Sequence, residues 1–400
     1  MTRGLLLLIA LALAACRGAP RDTDAQATLD RLVDSLTPAV ERATGLTFRE
    51  RPRPALRTRE QVREFLLAKV GEEFPPERIR GITASYRLLG LVPDTLDLRS
   101  LLLDLYSEQV AGFYDPDSAA LFAVEGADPA QLRLVIAHEL VHALQDQYLP
   151  LDSLLAQRVS SDRAAAAQAV LEGHATIASL EVLVPGGGVL DQPEFWQNFR
   201  DQIRESQATM AVFQRAPLVL REGLVFPYLY GADFMRWWDA ARPGEPLPAV
   251  GQLPVSTEQI LHPERYHGGD APLDLVFADS GAVMLHEDSF GEMELHILAA
   301  SLRGGDVITT LPAGWGGDRY RVFDTPSGPA LVWWLVWDTE TSARRFRVNI
   351  GGRLMARGRP GYRIAVDSAM VDGHPAARAV VAPVGWDGWG AVPGVVVREE

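Results

Sequence analysis

The segment at residues 128–148, DPAQLRLVIAHELVHALQDQY, decides how this 400-residue chain is expected to fold. Asp128 is a good helix cap, Pro129 suits the first helical position, and Gln131 stands where a capping box needs a side chain. Pro150 limits the helix at its other end. The segment therefore predicts a helix over about residues 128–148, and its many apolar residues indicate that this helix is buried.

This helix carries the pattern His138-Glu139-Leu140-Val141-His142. Residues four apart on a helix are offset by about 40° around its axis, so both imidazoles project from one face and can bind one ion. Two neutral imidazoles and a carboxylate suit zinc, which lowers the pKa of bound water to about 7. Glu139 lies where it can take the proton of that water without being a ligand. A buried helix with two structural histidines is the alternative.

A third ligand is expected from the segment LEGHAT at residues 171–176, on a helix predicted over about residues 161–183. Glu172 and His174 are about 200° apart on a straight helix, so they cannot both face the ion. Small residues surround Glu172 and would let two helices approach closely, whereas His174 lies among larger apolar residues. The sequence therefore favours Glu172 as the ligand. A ligand role for His174, or a solvated Glu172, is the alternative.

The HELVH pattern followed by Glu172 resembles the gluzincin metallopeptidases, the thermolysin-like superfamily. The chain is also similar to an uncharacterised group of bacterial, often membrane-anchored, gluzincin-like proteins. The similarity covers roughly residues 105–340. Its matching strings are EQVAGFYDP at 108–116, HELVHALQDQ at 138–147, EGHAT at 172–176, STEQILHPERY at 256–266 and GWGGDRY at 314–320.

The resemblance implies an α+β fold with a zincin-like metallopeptidase core. A small mixed sheet should pack on the helix that carries His138 and His142, and Glu172 should belong to a mostly helical second half. The substrate should lie in the groove between them. In this superfamily an edge strand before the metal helix pairs with the substrate backbone, and residues 121–124 hold that position here.

The resemblance also implies residues that orient the metal ligands. Thermolysin-like enzymes often place an aspartate four residues after the third ligand, but Thr176 stands at that position here. Asp146 lies four residues after His142 on the same helix face, so it is predicted to take over this orienting role.

A downstream histidine or tyrosine polarises the substrate carbonyl in gluzincins. His262 is the candidate here, with Tyr266 next to it in the same segment. Tyr228 and Tyr230 compete for the role. A purely structural role for His262, in a turn before a proline, is the alternative.

The N-terminus has the features of a bacterial export signal. Arg3 precedes an apolar run at residues 5–15, too short to span a bilayer, and residues 13–16 read LAAC. This tetrapeptide resembles the lipobox, which predicts a signal peptide at 1–15, lipidation of Cys16 and a tether over 16–27. The expected location is the cell envelope, and Arg17 after the cysteine suggests outer-membrane sorting in a cell with two membranes.

Composition excludes several classes of protein. The net charge of −14 argues against nucleic-acid binding, which depends on Lys and Arg. A single cysteine excludes an intrachain disulfide framework and a cysteine zinc cluster. Hydrophobic residues at 47% and charged residues at 22% are typical of globular proteins.

The chain is expected to divide into a catalytic region at 28–325 and a C-terminal α/β segment at 326–400 packed on it. Further helices are predicted at 28–45, 61–70, 98–111, 195–214 and 231–241, a buried strand at 331–337 and a hairpin at 362–382. Tryptophans at 237–238 and 333–337 are predicted to be core residues rather than a carbohydrate-binding surface.

Together these patterns predict a membrane-anchored zinc metallopeptidase that hydrolyses peptide or protein substrates. A non-catalytic lipoprotein on the same scaffold, binding an envelope partner, is one alternative. A zinc hydrolase acting on a non-peptide amide is another. No pattern in the sequence predicts an oligomeric state.

Overall fold

The computed structural model describes residues 25–149, 151, 160–184, 188–278, 284–386, 388 and 394–398. Helices and strands both contribute to the described part, so the predicted α+β class is confirmed at that level. The predicted signal peptide, Cys16 and most of the predicted tether lie outside the described residues. Among the described helices, none combines the length and the apolar character that a membrane span requires.

The helices and strands follow one another along the chain. The helices are α1 (Ala25–Thr44), α2 (Arg59–Glu73), α3 (Pro76–Leu89), α4 (Leu98–Gln109), α5 (Pro129–Tyr148), α6 (Ser161–Leu183), α7 (Pro193–Ala208), α8 (Ala211–Arg215), α9 (Leu218–Ala241), α10 (Thr257–Leu261), α11 (Pro263–His267), α12 (Gly291–Arg303), α13 (Glu340–Phe346) and α14 (Gly352–Arg357). The strands are β1 (Arg53–Arg57), β2 (Gly112–Asp115), β3 (Ala120–Val124), β4 (Leu275–Phe277), β5 (Met284–Asp288), β6 (Trp315–Phe323), β7 (Ala330–Trp337), β8 (Tyr362–Val371), β9 (His374–Pro383) and β10 (Val395–Val397).

The two helices expected to carry the metal ligands, α5 and α6, form where the sequence predicts them. Asp128 accepts a hydrogen bond from the backbone N–H of Gln131, and Ser160 caps α6 in the same way.

Two other helices differ from prediction. The one predicted at 195–214 is divided into α7 and α8, and the one predicted at 231–241 is only the end of α9, which continues through Pro227. Pro227 has no backbone N–H, so the helix loses one hydrogen bond there. The burial of α9 compensates for that loss of stability.

A small mixed sheet, in the order β1-β3-β2, packs on α5. β1 runs parallel to β3, and β2 runs antiparallel to it. The prediction that residues 121–124 form an edge strand is therefore wrong, because β3 lies in the middle and pairs on both sides. The edges of this sheet are β1 and β2. Its apolar face shares a core with α1 and α5, which includes Leu36, Leu121, Ile136, Leu140 and Leu144.

Helices α6 and α9 cross at backbone contact distance. A Cβ atom added to Gly173 would lie 2.2 Å from the carbonyl carbon of Gly231. One added to Gly231 would lie 2.0 Å from the carbonyl oxygen of Ala169. Backbone atoms cannot move aside as side chains do, so the crossing requires glycine at these two positions. The contact brings the middle of α9 next to the middle of α6, where Glu172 lies.

The start of α6 is bound to the C-terminal half of the chain. The buried carboxylate of Asp162 accepts hydrogen bonds from the backbone N–H of Thr257 at 3.0 Å and from its hydroxyl at 2.5 Å. The N–H of Ser161 donates to Asp288 at 2.7 Å. Gly291, with φ of 79°, lies so close to Asp162 that a Cβ there would be 1.8 Å from its Oδ1. These contacts fix the position of α6.

The C-terminal sheet has the order β5-β6-β7-β9-β8, and each neighbouring pair is antiparallel. The predicted strand at 331–337 and the predicted hairpin at 362–382 are confirmed as β7 and β8–β9. The boundary predicted at 325/326 instead falls between two strands that pair with each other, so the C-terminal segment completes a sheet that begins before it. Trp238, Trp333 and Trp337 are buried, as predicted for core residues.

Gly231→Ala should destabilise the protein by about 3 kcal/mol, because the new methyl group would overlap a backbone oxygen of α6. Gly223→Ala is the matched control: it lies on the same helix, is exposed and has no atom within 4 Å of an added Cβ. Helix propensity should make that variant up to about 1 kcal/mol more stable. Urea unfolding of both variants measures the difference, and equal stabilities would contradict the backbone contact.

Candidate metal centre

Helix α5 presents its two histidines towards α6 in a region closed to solvent. His138 is 4% exposed, and His142, Glu139 and Glu172 are 0% exposed. The surrounding residues of α5 are apolar and belong to the core beneath the small sheet. Polar groups buried in this way are costly unless each finds a partner, so their mutual contacts decide what the site can do.

Three possible ligand atoms converge between the two helices. The Nε2 atom of His138 lies 3.1 Å from Oε2 of Glu172, and Nε2 of His142 lies 3.5 Å from the same oxygen. All three atoms lie within 4.8 Å of one another. The predicted residues His138, His142 and Glu172 therefore form a buried group that could bind a metal ion.

Electrostatics at this group favour a bound cation. Burial alone would raise the pKa of Glu172, but the neighbouring His142 and His138 outweigh burial and lower that pKa. Burial lowers the pKa of His138, which favours the neutral imidazole. Within the described residues, Nε2 of His142 has no hydrogen-bond partner although it is buried. The group thus offers an ionised carboxylate and imidazole nitrogens to a shared point.

Glu139 is held by the edge of the small sheet. Its Oε2 accepts a hydrogen bond of 2.8 Å from the backbone N–H of Tyr114, in β2. The carboxylate therefore has a fixed orientation beside the histidines, set by a backbone group rather than by a mobile side chain. Strand β2 thus orients Glu139, the candidate general base.

Tyr228, on α9, also contacts the group. Its ring lies against the imidazole of His138, with centroids 6.0 Å apart, and its hydroxyl hydrogen-bonds with Glu172. Burial, together with the charges of Glu172 and Glu139, raises the pKa of Tyr228 well above its usual value. From the sequence this tyrosine is only one of several competitors, because nothing local shows that α9 crosses α6 at this point.

Gln145 contacts His142 where the sequence analysis expects Asp146. Its Oε1 lies 2.8 Å from Nδ1 of His142. Asp146 accepts a hydrogen bond of 2.9 Å from the hydroxyl of Tyr114, and its predicted orienting role stays a prediction. Thr176 is buried and makes no side-chain hydrogen bond to either histidine in the described part of the chain. The i, i+3 spacing of His142 and Gln145 is the sequence signal that was missed.

His262 lies at a different place in the molecule. Its Nε2 is 3.0 Å from Oε2 of Glu292, and the hydrogen bond with that carboxylate raises the pKa of His262. Contacts that join His262 to His138 or Glu172 do not occur among the described residues. These contacts agree with the alternative, a structural role for His262, and its predicted action at the metal stays a prediction.

Tyr266 is also separate from the three possible ligands. Its hydroxyl donates to the carbonyl oxygen of Gln252 at 2.7 Å, and its ring packs edge-on against Phe234 and Trp237. Contacts of Tyr266 with His138, His142 or Glu172 do not occur among the described residues, and its predicted catalytic role stays a prediction.

Comparison with known proteins bears mainly on the C-terminal half. A family model described as a domain of unknown function, DUF8575, matches residues 268–384, downstream of all three possible ligands. The curated proteins contain no match to this chain. A crystal structure described as a "putative hydrolase with a novel fold" from Chloroflexus aurantiacus is similar at 21% identity and a TM-score of 0.40. The similarity covers 62% of this chain and 91% of that one.

Glu172→Ala should lower the affinity for a divalent metal by at least about 100-fold, because it removes the only carboxylate among the three possible ligands. Glu181→Ala is the matched control, since Glu181 is an exposed residue of the same helix. His174→Ala should change affinity by less than about fivefold. Chelator competition with the purified chain measures all three, and a larger loss in His174→Ala than in Glu172→Ala would refute the ligand assignment.

Proposed function

We propose that this protein is a zinc-dependent metallopeptidase of the gluzincin type, anchored to a membrane of the cell envelope, that hydrolyses peptide bonds. One observation carries the proposal: a buried group of two histidines and a glutamate has a further glutamate, Glu139, fixed beside it. This is the set of residues that metal-assisted hydrolysis needs: ligands for the ion and a base for water. On this proposal the fold has a zincin-like core, with the small sheet on α5.

The donor set and its spacing suit zinc. Two ligands about 2.0–2.2 Å from a tetrahedral ion are about 3.3–3.5 Å apart. The Nε2 atoms of His138 and His142 lie 3.1 and 3.5 Å from Oε2 of Glu172. Calcium and magnesium prefer oxygen ligands, and calcium takes six or more of them, so two imidazoles argue against these ions.

When bound, zinc would supply a water of lowered pKa and polarise the carbonyl to be attacked. Glu139 would take the proton of the attacking water and later deliver it to the leaving amine. The hydrogen bond from the N–H of Tyr114 would keep the carboxylate in place during both transfers. The base would thus be oriented before the substrate arrives, which reduces the reorganisation that the reaction requires.

Tyr228 is the proposed donor to the oxygen that gains negative charge during attack. Its hydroxyl lies at the group, since it hydrogen-bonds with Glu172, whereas His262 and Tyr266 lie elsewhere. Its high pKa keeps the proton on the hydroxyl, as a donor requires. A preorganised donor of this kind contributes about 2.7–4 kcal/mol to the stability of the transition state.

An extended peptide could add to the small sheet at β2 once the site opens, because all four residues of this strand are buried in the closed structure. This strand is an edge of the sheet, and it carries the backbone N–H that holds Glu139. A substrate paired there would be aligned with the catalytic carboxylate by backbone hydrogen bonds, which do not depend on substrate sequence. On this proposal β2 takes the role that the sequence analysis assigned to residues 121–124.

The second candidate function is a non-catalytic metal-binding lipoprotein. Complete burial of Glu139, His142 and Glu172 favours it, because a substrate cannot reach groups that are closed to solvent without some opening of the site. The presence of Glu139 at the position of a general base favours the peptidase. A zinc hydrolase that acts on a non-peptide amide would use the same residues in the same roles.

Glu139→Gln should keep the metal and lose turnover by about 100- to 10,000-fold, because the amide can still accept from Tyr114 but cannot take a proton. The assay is cleavage of an unbiased peptide library by the zinc-loaded chain from residue 17 to residue 400. Wild-type protein stripped of metal and reloaded is the control. Turnover in Glu139→Gln equal to that of the wild type would reject the mechanism, and a zinc-loaded wild type that cleaves no peptide would favour the second candidate.

The proposed anchor predicts that the full chain, expressed in a bacterium, labels with fatty acid and sediments with membranes. Cys16→Ser should lose both properties, because the sulfur to which the lipid is attached is gone. Metabolic labelling followed by fractionation is the measurement. Recovery of unlabelled wild-type protein in the soluble fraction would count against lipidation at Cys16 while leaving the metal centre unaffected.

A further inference from the structure

Gln145 links the two helices of the metal centre through three buried hydrogen bonds. Its Oε1 lies 2.8 Å from Nδ1 of His142. Its Nε2 lies 2.9 Å from the carbonyl oxygen of Leu171 and 3.0 Å from Nδ1 of His174. The side chain is 0% exposed, so water cannot substitute for any of these partners.

The carbonyl of Leu171 determines which way round the amide of Gln145 lies. A carbonyl oxygen only accepts hydrogen bonds, so the amide atom that faces it must be the NH2 group. The amide oxygen must then face His142. The backbone of α6, one residue before Glu172, thereby sets the orientation of a side chain on α5.

That orientation in turn selects one form of the His142 ring. Because an amide oxygen only accepts, Nδ1 of His142 must carry a proton and donate it. The neutral ring then has its lone pair on Nε2, the atom that lies 3.5 Å from Oε2 of Glu172. A zinc ligand needs a lone pair on that nitrogen, so the ring is already in the form that the ion requires.

His174 completes the hydrogen bonding of Gln145. The second N–H of the amide points to Nδ1 of His174, so this nitrogen must be an acceptor and the ring must be neutral. His174 thus supports Gln145 and leaves the position of third ligand to Glu172.

We propose that Gln145 is a positioning residue that holds His142 in the Nδ1–H form and directs its Nε2 to the metal. The carbonyl of Leu171, on α6, fixes the orientation of Gln145. The orientation of His142 on α5 therefore depends on the position of α6. The proposal rests on the metal centre of the proposed function but not on turnover, so it can be tested by metal binding alone.

Two substitutions separate positioning from packing. Gln145→Met keeps the size of the side chain but loses its hydrogen bonds, and should lower zinc affinity by about 10- to 100-fold. Gln145→Glu keeps an acceptor for His142 and, when protonated, a donor for Leu171, and should stay within about fivefold of the wild type. If Gln145 only filled space, the order would be reversed, since methionine would be tolerated and a buried acid would not. That reversed order would overturn the proposal.

The matched control is Gln147→Met, which makes the same change on the same helix. Gln147 contacts the backbone of Arg49 and Glu50 rather than a metal ligand, so zinc affinity should not change. Chelator competition gives the affinities, and thermal unfolding of each variant shows whether it is folded. A loss of affinity in Gln147→Met as large as that in Gln145→Met would also overturn the proposal.

A spectroscopic test needs no variant. In the zinc-loaded wild type, the ring Nδ1–H of His142 should appear in 1H–15N spectra as a slowly exchanging proton near Gln145. Binding of zinc through Nδ1, or rapid exchange of that proton with water, would reject the proposal. A wild type that binds zinc and shows this proton but cleaves no peptide would reject the peptidase and leave the role of Gln145 intact.

Discussion

The burial of one carboxylate between two imidazoles is the interaction on which the rest of the structure depends. Glu172 is closed to solvent, and burial by itself would favour its protonated form. Hydrogen bonds and positive charge from His138 and His142 oppose that effect and lower the pKa of Glu172, but neutral rings acting as ligands would leave that compensation to a cation. Ionised groups inside a protein are stable only while their partners stay in place, so separating α5 from α6 at this point would destabilise the fold. A cation bound there would complete the compensation.

Backbone atoms are in contact where α6 crosses α9, and side chains of α5 reach the side chains and backbone of α6. Gly173 and Gly231 allow α6 and α9 to touch, which places Tyr228 beside Glu172. Helix α6 also packs on α5, where Gln145 binds the backbone of Leu171. Because backbone atoms set these distances, the ligands have little freedom to move apart. Such rigidity is what a metal site with short bonds requires.

The two sheets serve the centre in different ways. The small sheet contributes through its edge, where the N–H of Tyr114 orients Glu139. The C-terminal sheet contributes at a distance, since Asp288 at the end of β5 binds the first residue of α6. The family of unknown function that matches residues 268–384 covers this second sheet and α12. That match therefore concerns the part of the chain that positions α6, while the ligands come from the segment before it.

Local periodicity explains what the sequence by itself determined. The angle between residues on a helix depends only on their spacing, so His138 and His142 could be assigned to one face of α5 before any packing was known. Glu172 was favoured over His174 by the small residues around it. The bounds of α5 and α6 follow from caps and prolines in the same local way. The central place of β3 could not be predicted from local pattern, because its second partner, β1, comes from residues far upstream. Only the tertiary structure decided that Tyr228 and Gln145 reach the metal centre and that His262 binds Glu292 instead. These contacts depend on how helices distant in the sequence cross. The spacing of residues along one helix does not determine that crossing.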